Sequence, residues 1–149
     1  MRRYQDVAGK MLASTPRPYP TIVKDTAEIE GESESRRAGV FSTLLAPALS
    51  GVVKSQAKGE ALHDVAGVLV AATRARLMGK PVADSLVPDA LPVLPGDPFT
   101  VDTPLLAKRA DDAWVVYSVG PDGEDDGGPV PDGVEAAEGN DDVGLRLAL

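Results

Sequence analysis

WVVYSVGPDGEDDGG, residues 114–128, contains the change of pattern on which the reading of this chain turns. Trp114, Val116 and Ser118 alternate with Val115, Tyr117 and Val119, the period of two expected of a strand. At Gly120 the alternation stops, and carboxylates and glycines take over. Acids and flexible residues gathered at one strand end either build a cation site or solvate a loop. Working outward, Leu105–Arg109 is a second strand candidate, separated from Ala113–Val119 by Ala110, Asp111 and Asp112, which is hairpin spacing. Downstream, Val143–Leu149 alternates again, with Leu145, Leu147 and Leu149 on one side and Arg146 on the other. The expectation is a small antiparallel sheet with an acidic loop, residues 120–142, between its second and third strands.

Upstream the period becomes helical. Between Val40 and Met78, the apolar residues Phe41, Leu44, Leu45, Ala48 and Leu49 are followed, after a polar interval, by Ala57, Ala61, Leu62, Val65, Leu69, Ala72 and Leu77. That spacing predicts a single apolar stripe. Pro47 is expected to kink or interrupt the first part, and Gly79 with Pro81 to stop the second, which leaves one long kinked helix or a helix pair. Residues 81–98, rich in proline, read as a packed connecting loop in which Asp84 or Ser85 caps one helical turn. Residues 1–14 have the spacing of a short helix, ended by the prolines at 16, 18 and 20. Thr21–Arg37, with its GESESRR string, lacks either period and reads as a linker. The chain therefore divides into an N-terminal segment, 1–37, and a helix-plus-sheet domain, 38–149. The fold class is α+β, with an N-terminal helical region packed on a small C-terminal antiparallel sheet.

A chain of 149 residues supports one ordinary core. Aromatics make up only 4% of it, so that core must be built mainly from Ala, Val and Leu, which suits helix packing. The net charge of −8 is local: residues 1–110 carry 14 Lys and Arg against 12 Asp and Glu, whereas residues 111–149 carry 1 against 11. No Lys or Arg lies between Asp111 and Gly144, so this end repels nucleic acid and attracts a hard cation. With no cysteine, disulfides, thiolate metal sites and cysteine nucleophiles are excluded. Gln5, Asp6, Gly9 and Lys10 stand where the apolar core of a signal peptide would be. The most apolar window, Ala38–Val53, is too short to span a bilayer, and no membrane span is expected.

Calcium takes several oxygen ligands, and a site needs carboxylates, backbone carbonyls and glycines that let the chain fold round the ion. Asp122, Glu124 and Asp126 occupy alternate positions before Gly127, a partial match to the opening of an EF-hand loop. The match then fails, because Gly133 stands where an EF-hand places its bidentate Glu. Asp125 joins the candidates by spacing, and Asp141 and Asp142 can close a different acidic calcium turn from the far side. The competing reading is a solvated acidic loop with no ligand.

A long apolar helix, a connector containing Asp97-Pro98-Phe99, a hairpin ending in Tyr117-Ser118-Val119-Gly120-Pro121-Asp122-Gly123, the Gly127-Gly128 pair and then Asp141-Asp142-Val143-Gly144 follow one another here. This order resembles the C-terminal part of the type II secretion major pseudopilin, over roughly Leu44–Leu149. Members of that family carry a Y-S-x-G-A-D-G string, a G-G pair and an A-D-I string around a loop that holds calcium. The resemblance implies Ca2+ as the bound ion, carboxylate ligands from Asp122 and one of Asp141 or Asp142, and help from backbone carbonyls near Val119. It also implies a non-enzymatic, extracytoplasmic structural or assembly subunit whose partners are pilin-like or secretion components or further copies of itself. The family's leader and membrane-spanning helix are not found in these residues. The alternative is thus a soluble C-terminal domain of a larger bacterial protein, with an interaction role and no filament assembly.

No enzyme site competes with the loop. His63 sits beside Asp64, but neighbouring helix positions point apart and no nucleophile accompanies them. Ser118 lacks the glycine spacing of a nucleophile elbow. The glycines at 120, 123, 127 and 128 are surrounded by acids and lack a lysine, which disfavours phosphate. Trp114 is expected to anchor the core.

Overall fold

The segment preceding Gly79 forms one helix, α1 (Val40–Leu77), in a computed structural model that describes residues 19–21, 24, 40–87, 90–110, 112–129 and 139–148. The short N-terminal helix, nearly all of the linker and Gly133 fall outside the described residues. Helical assignment runs through Pro47 without a break, so the helix-pair alternative is not taken. Ordinary capping geometry ends α1. Gly79 adopts φ +71°, its N–H donates to the Arg76 carbonyl at 2.9 Å, and the Lys80 N–H donates to the Ala75 carbonyl at 3.1 Å. This pair of bonds is a Schellman cap, which glycine closes without the steric penalty of a Cβ.

The chain divides into two units, Met1–Gln56 and Ala57–Leu149. In the first, the described residues are helical at 19–21, 24 and from Val40 onward. Among the described residues, no helix is long and apolar enough to cross a membrane.

The second unit contains the core. On α1 the buried residues are Ala57, Ala61, Val65, Val68, Leu69, Ala72 and Ala75, spaced as one helical face. Val65, Val68, Leu69 and Ala72 pack with Leu86, Leu105, Trp114 and Val116. Leu62 and Leu77 do not belong to this face. They are 40% and 84% exposed, so the apolar residues of α1 make two stripes where the spacing predicts one.

The strands are β1 (Leu106–Ala110), β2 (Ala113–Ser118) and β3 (Val143–Ala148), each within a residue or so of the sequence expectation. They form an antiparallel meander in the order β1-β2-β3. Trp114 lies between Arg109 and Leu147, and Val116 between Ala107 and Leu145, on the face that packs against α1. Every residue of β2 is buried, those pointing away from α1 included. On that outer face Val115 is flanked by Lys108 and Arg146, both half-buried, whose aliphatic stems can shield it while their charges reach water. Leu145, on the same side of β3 as Leu147, is 40% exposed at the edge of the sheet.

The connector carries turns at 84–85 and 87, and Ser85 Oγ donates to the Val87 carbonyl at 3.2 Å; Pro88 and Asp89, in the turn that Asp84 or Ser85 is expected to cap, lie outside the described residues. Leu86, at φ +62°, is completely buried, and its carbonyl accepts from the Ala90 N–H at 3.1 Å. Burial of the leucine offsets a backbone conformation that costs about 1–3 kcal/mol.

Gly144 pairs with Tyr117 across the β2–β3 ladder, and a Cβ there would lie 2.4 Å from both the Tyr117 Cβ and the Val116 carbonyl oxygen. Gly144→Ala is expected to destabilise the fold by at least about 2 kcal/mol, through overpacking against backbone that cannot move aside. Urea denaturation of the two proteins measures this, and equal midpoints would refute it.

Candidate functional site

The site begins where β2 ends. Ser118 is the last inward-facing residue of that strand and is fully buried, so its hydroxyl must find a partner inside the protein. It donates to Asp97 Oδ1 at 2.7 Å and accepts from the Gly120 N–H at 3.1 Å. Asp97, itself 5% exposed, also accepts from the Phe99 N–H on Oδ1 at 2.9 Å and from the Val119 N–H on Oδ2 at 3.0 Å. The connector delivers Asp97 by closing on itself, through Asp97 N–H to the Thr103 carbonyl and Leu105 N–H to the Pro95 carbonyl, at 2.8 and 2.9 Å. One carboxylate thus fixes the direction in which the chain leaves the sheet.

Beyond this clamp lies a tight turn. The Gly123 N–H donates to the Gly120 carbonyl at 3.2 Å, with Pro121 and Asp122 at the central positions that a type I turn favours. Gly120 adopts φ +72°, and a Cβ on it would meet the Asp141 carbonyl oxygen at 2.1 Å. The start of the acidic loop therefore lies against the backbone that leads into β3.

The loop then folds back over the outer face of the sheet. Tyr117 donates its hydroxyl hydrogen to Asp125 Oδ1 at 3.0 Å, and the Gly127 N–H donates to the same oxygen at 2.9 Å. Lys108 lies over the Tyr117 ring, 5.2 Å from its centroid, and its Nζ donates to the Gly127 carbonyl at 2.6 Å. Gly128, at φ +82°, sits so close to the tyrosine that a Cβ would be 2.9 Å from the ring. The far limb is joined by three bonds: Gly128 N–H to Asp142 Oδ2 at 2.6 Å, Asp141 N–H to Asp126 Oδ2 at 3.2 Å, and Asn140 Nδ2 to the Gly128 carbonyl at 3.3 Å.

The sequence candidates fall into distinct places within this arrangement. The N–H of Val119 is held by Asp97. Asp122 accepts from the Glu124 N–H on Oδ1 at 3.1 Å, an Asx turn, and both side chains are exposed. Asp125 and Asp126 are exposed residues with one oxygen engaged in the loop, while Asp141 and Asp142 are half-buried at its return. Among the described residues, no three carboxylates converge closely enough to form a ready-made metal site. One oxygen stands apart. Among the described residues, Asp142 Oδ1 is buried with no hydrogen-bond partner, while the other oxygen of the same carboxylate accepts from the Gly128 N–H.

The electrostatics agree with that geometry. Burial pushes the Asp142 carboxyl above its ordinary value of 3.8, and the negative charges of Asp126 and Asp125 push the same way; hydrogen bonds from the Gly128 and Asp126 backbone partly offset them. Tyr117 is raised too, by burial first and then by its bond to Asp125. The carboxylates gathered here are hard oxygen donors, the type a calcium ion selects.

The sequence did not single out Tyr117, Lys108, Asn140 or the role of Asp97. An available signal was Ser118, a hydroxyl on the inward face of a strand, which requires a buried polar partner from elsewhere in the chain. No family model, curated protein or solved structure matches this chain.

Asp97→Ala would leave the Ser118 hydroxyl and two backbone N–H groups without their acceptor. The expected loss is about 3 kcal/mol, with faster amide exchange at Val119 and Gly120. Ser118→Ala should cost roughly 1–2 kcal/mol. Denaturant titration with hydrogen exchange tests both, and an unchanged Gly120 exchange rate would count against the clamp.

Proposed function

We propose that this chain is a non-enzymatic structural or assembly subunit, or a domain of one, of the type II secretion pseudopilin kind, and that the loop between β2 and β3 is stabilised by Ca2+. The observation that carries the calcium half of the reading is the buried, unpartnered Oδ1 of Asp142 beside the charges of Asp125 and Asp126. An ionised oxygen removed from water without a partner is costly, and a cation removes that cost. Helix, hairpin, acidic loop and last strand also follow one another as the sequence resemblance leads one to expect.

The ligands would come from Asp122, Glu124, Asp125, Asp126, Asp141 and Asp142, with the Val119 carbonyl as a backbone donor. A bound calcium ion supplies positive charge that cancels the repulsion among these groups. The chain's own part is to hold the loop in place: Asp97 sets its exit, Lys108 and Tyr117 anchor its middle, and Gly128 meets Asp142 at its return. The fixed loop would then keep β3 against β2 and present the sheet to like or unlike protein partners in an extracytoplasmic compartment. The partner and compartment rest on fold-level resemblance.

Thermal melts of the full chain in EDTA, in millimolar calcium and in millimolar magnesium test the reading. A calcium-selective rise of several degrees is expected, and Asp142→Asn should abolish it. No rise at saturating calcium would make the acids a solvated loop.

A pH dependence follows from the raised carboxyl. Because the folded-state value of Asp142 lies above its ordinary 3.8, the folded protein holds this proton more tightly than the unfolded chain. Asp142 therefore lowers stability as the pH rises from 3.8 through its raised value, and relieves that loss as the pH falls. In EDTA, wild type should lose stability relative to Asp142→Asn across that window; parallel pH profiles would contradict it.

A further inference from the structure

The acidic loop is held by a positive charge that is part of the chain itself. No Lys or Arg stands between Asp111 and Gly144, yet the Nζ of Lys108, reaching from the outer face of β1, donates to the Gly127 carbonyl at 2.6 Å. Cross-strand neighbours aim it there. Lys108 pairs with Val115 and Leu106 with Tyr117, so lysine and tyrosine are diagonal neighbours on one face, and the ammonium rests 5.2 Å from the ring centroid. The Tyr117 hydroxyl and the Gly127 N–H share Asp125 Oδ1. Asp126 directly precedes Gly127, and the Gly128 N–H is bonded to Asp142. The ammonium is thus fixed at the peptide that joins Asp125 and Asp126 to the residue held by Asp142.

We infer that Lys108 is a built-in counter-cation, which holds the loop when calcium is absent and opposes calcium binding, so that this lysine sets the calcium concentration to which the loop responds. The inference rests on the calcium reading of the same loop. The Gly127 carbonyl is a hard oxygen of the kind calcium accepts, and the lysine already holds it. Among the described residues no three carboxylates converge as a ready-made metal site, so Asp125, Asp126 and Asp142 must draw together to share an ion. A divalent ion placed among them stands beside a fixed positive charge, and the two repel. Without metal, the same ammonium relieves the repulsion among the carboxylates and stabilises the free state against which binding is measured. Both effects weaken calcium binding. A lysine that only positioned the loop for the ion would act in the opposite direction, strengthening it.

Calorimetric titration of the full chain with calcium chloride at low salt, after metal is stripped with EDTA, tests the sign. Lys108→Met and Lys108→Gln remove the charge, and Lys108→Arg keeps it. Both neutral variants are expected to bind calcium at least about threefold more tightly than wild type, with the gain shrinking at high salt. In EDTA they should melt below wild type and show faster amide exchange at Gly127 and Gly128. Lys108→Arg should stay close to wild type in affinity. Arg146 flanks Val115 on the same outer face, so Arg146→Met controls for net charge and should change the affinity less. Equal or weaker binding by the neutral Lys108 variants, or an equal gain in Arg146→Met, would overturn the inference and leave the calcium reading standing. No calcium binding by wild type or by any variant would overturn the calcium reading and this inference with it.

Discussion

The carboxylate of Asp97 is the contact on which the geometry of the loop depends. It is buried where β2 ends, and its three hydrogen bonds connect the proline-rich connector, the last residue of the strand and the residue that leads into the acidic loop. A side chain that serves three segments cannot be replaced by independent local contacts. Each segment would otherwise present an unsatisfied polar group to the interior, at about 1–3 kcal/mol apiece. The type I turn that follows starts from a fixed point, and Gly120 can lie against Asp141 only because that point is fixed.

A second constraint acts from the opposite face. β2 is central in the sheet and buried on both sides, on one by the alanine-rich face of α1 and on the other by flanking side chains and the returning loop. The loop is thus a cover for the sheet as much as a display of charge. Tyr117 meets it with its ring against Gly128 and its hydroxyl on Asp125, which explains why glycine is needed there and why a strongly acidic segment stays close to an apolar strand. The loop lacks basic residues of its own and borrows one from β1, Lys108.

Much of this was legible in the sequence. The alternation in Trp114–Ser118 and Val143–Leu147 fixes the strands, and Gly79 followed by Pro81 marks the helix end, because those patterns are local and the structure satisfies them locally. Pro47 left two alternatives open, and the helical assignment that passes through it despite the lost N–H selects the single long helix over the pair. Leu62 and Leu77 were misplaced because intervals of three and four fit both faces of α1, and only the position of the sheet separates them. The roles of Asp97 and Lys108 were not legible, since their partners lie about twenty residues away and no periodicity encodes such distances. The acidic candidates all stand between β2 and β3, yet only the packing distinguishes Asp142, half-buried and partly unpartnered, from the exposed Asp122 and Glu124.

The bonds at the neck of the loop have a consequence for how this protein tolerates change in length. Gly128 is tied to both Asn140 and Asp142, and the return into β3 is complete one residue later at Val143. A change in the number of residues between Pro129 and Gly139 leaves the partners in these bonds and in the β2–β3 ladder the same. Doubling the length of a loop costs only about 0.6 kcal/mol of closure entropy. The hold on β3 is thus written in the residues at the neck and along the ladder, and not in the length of chain that joins them.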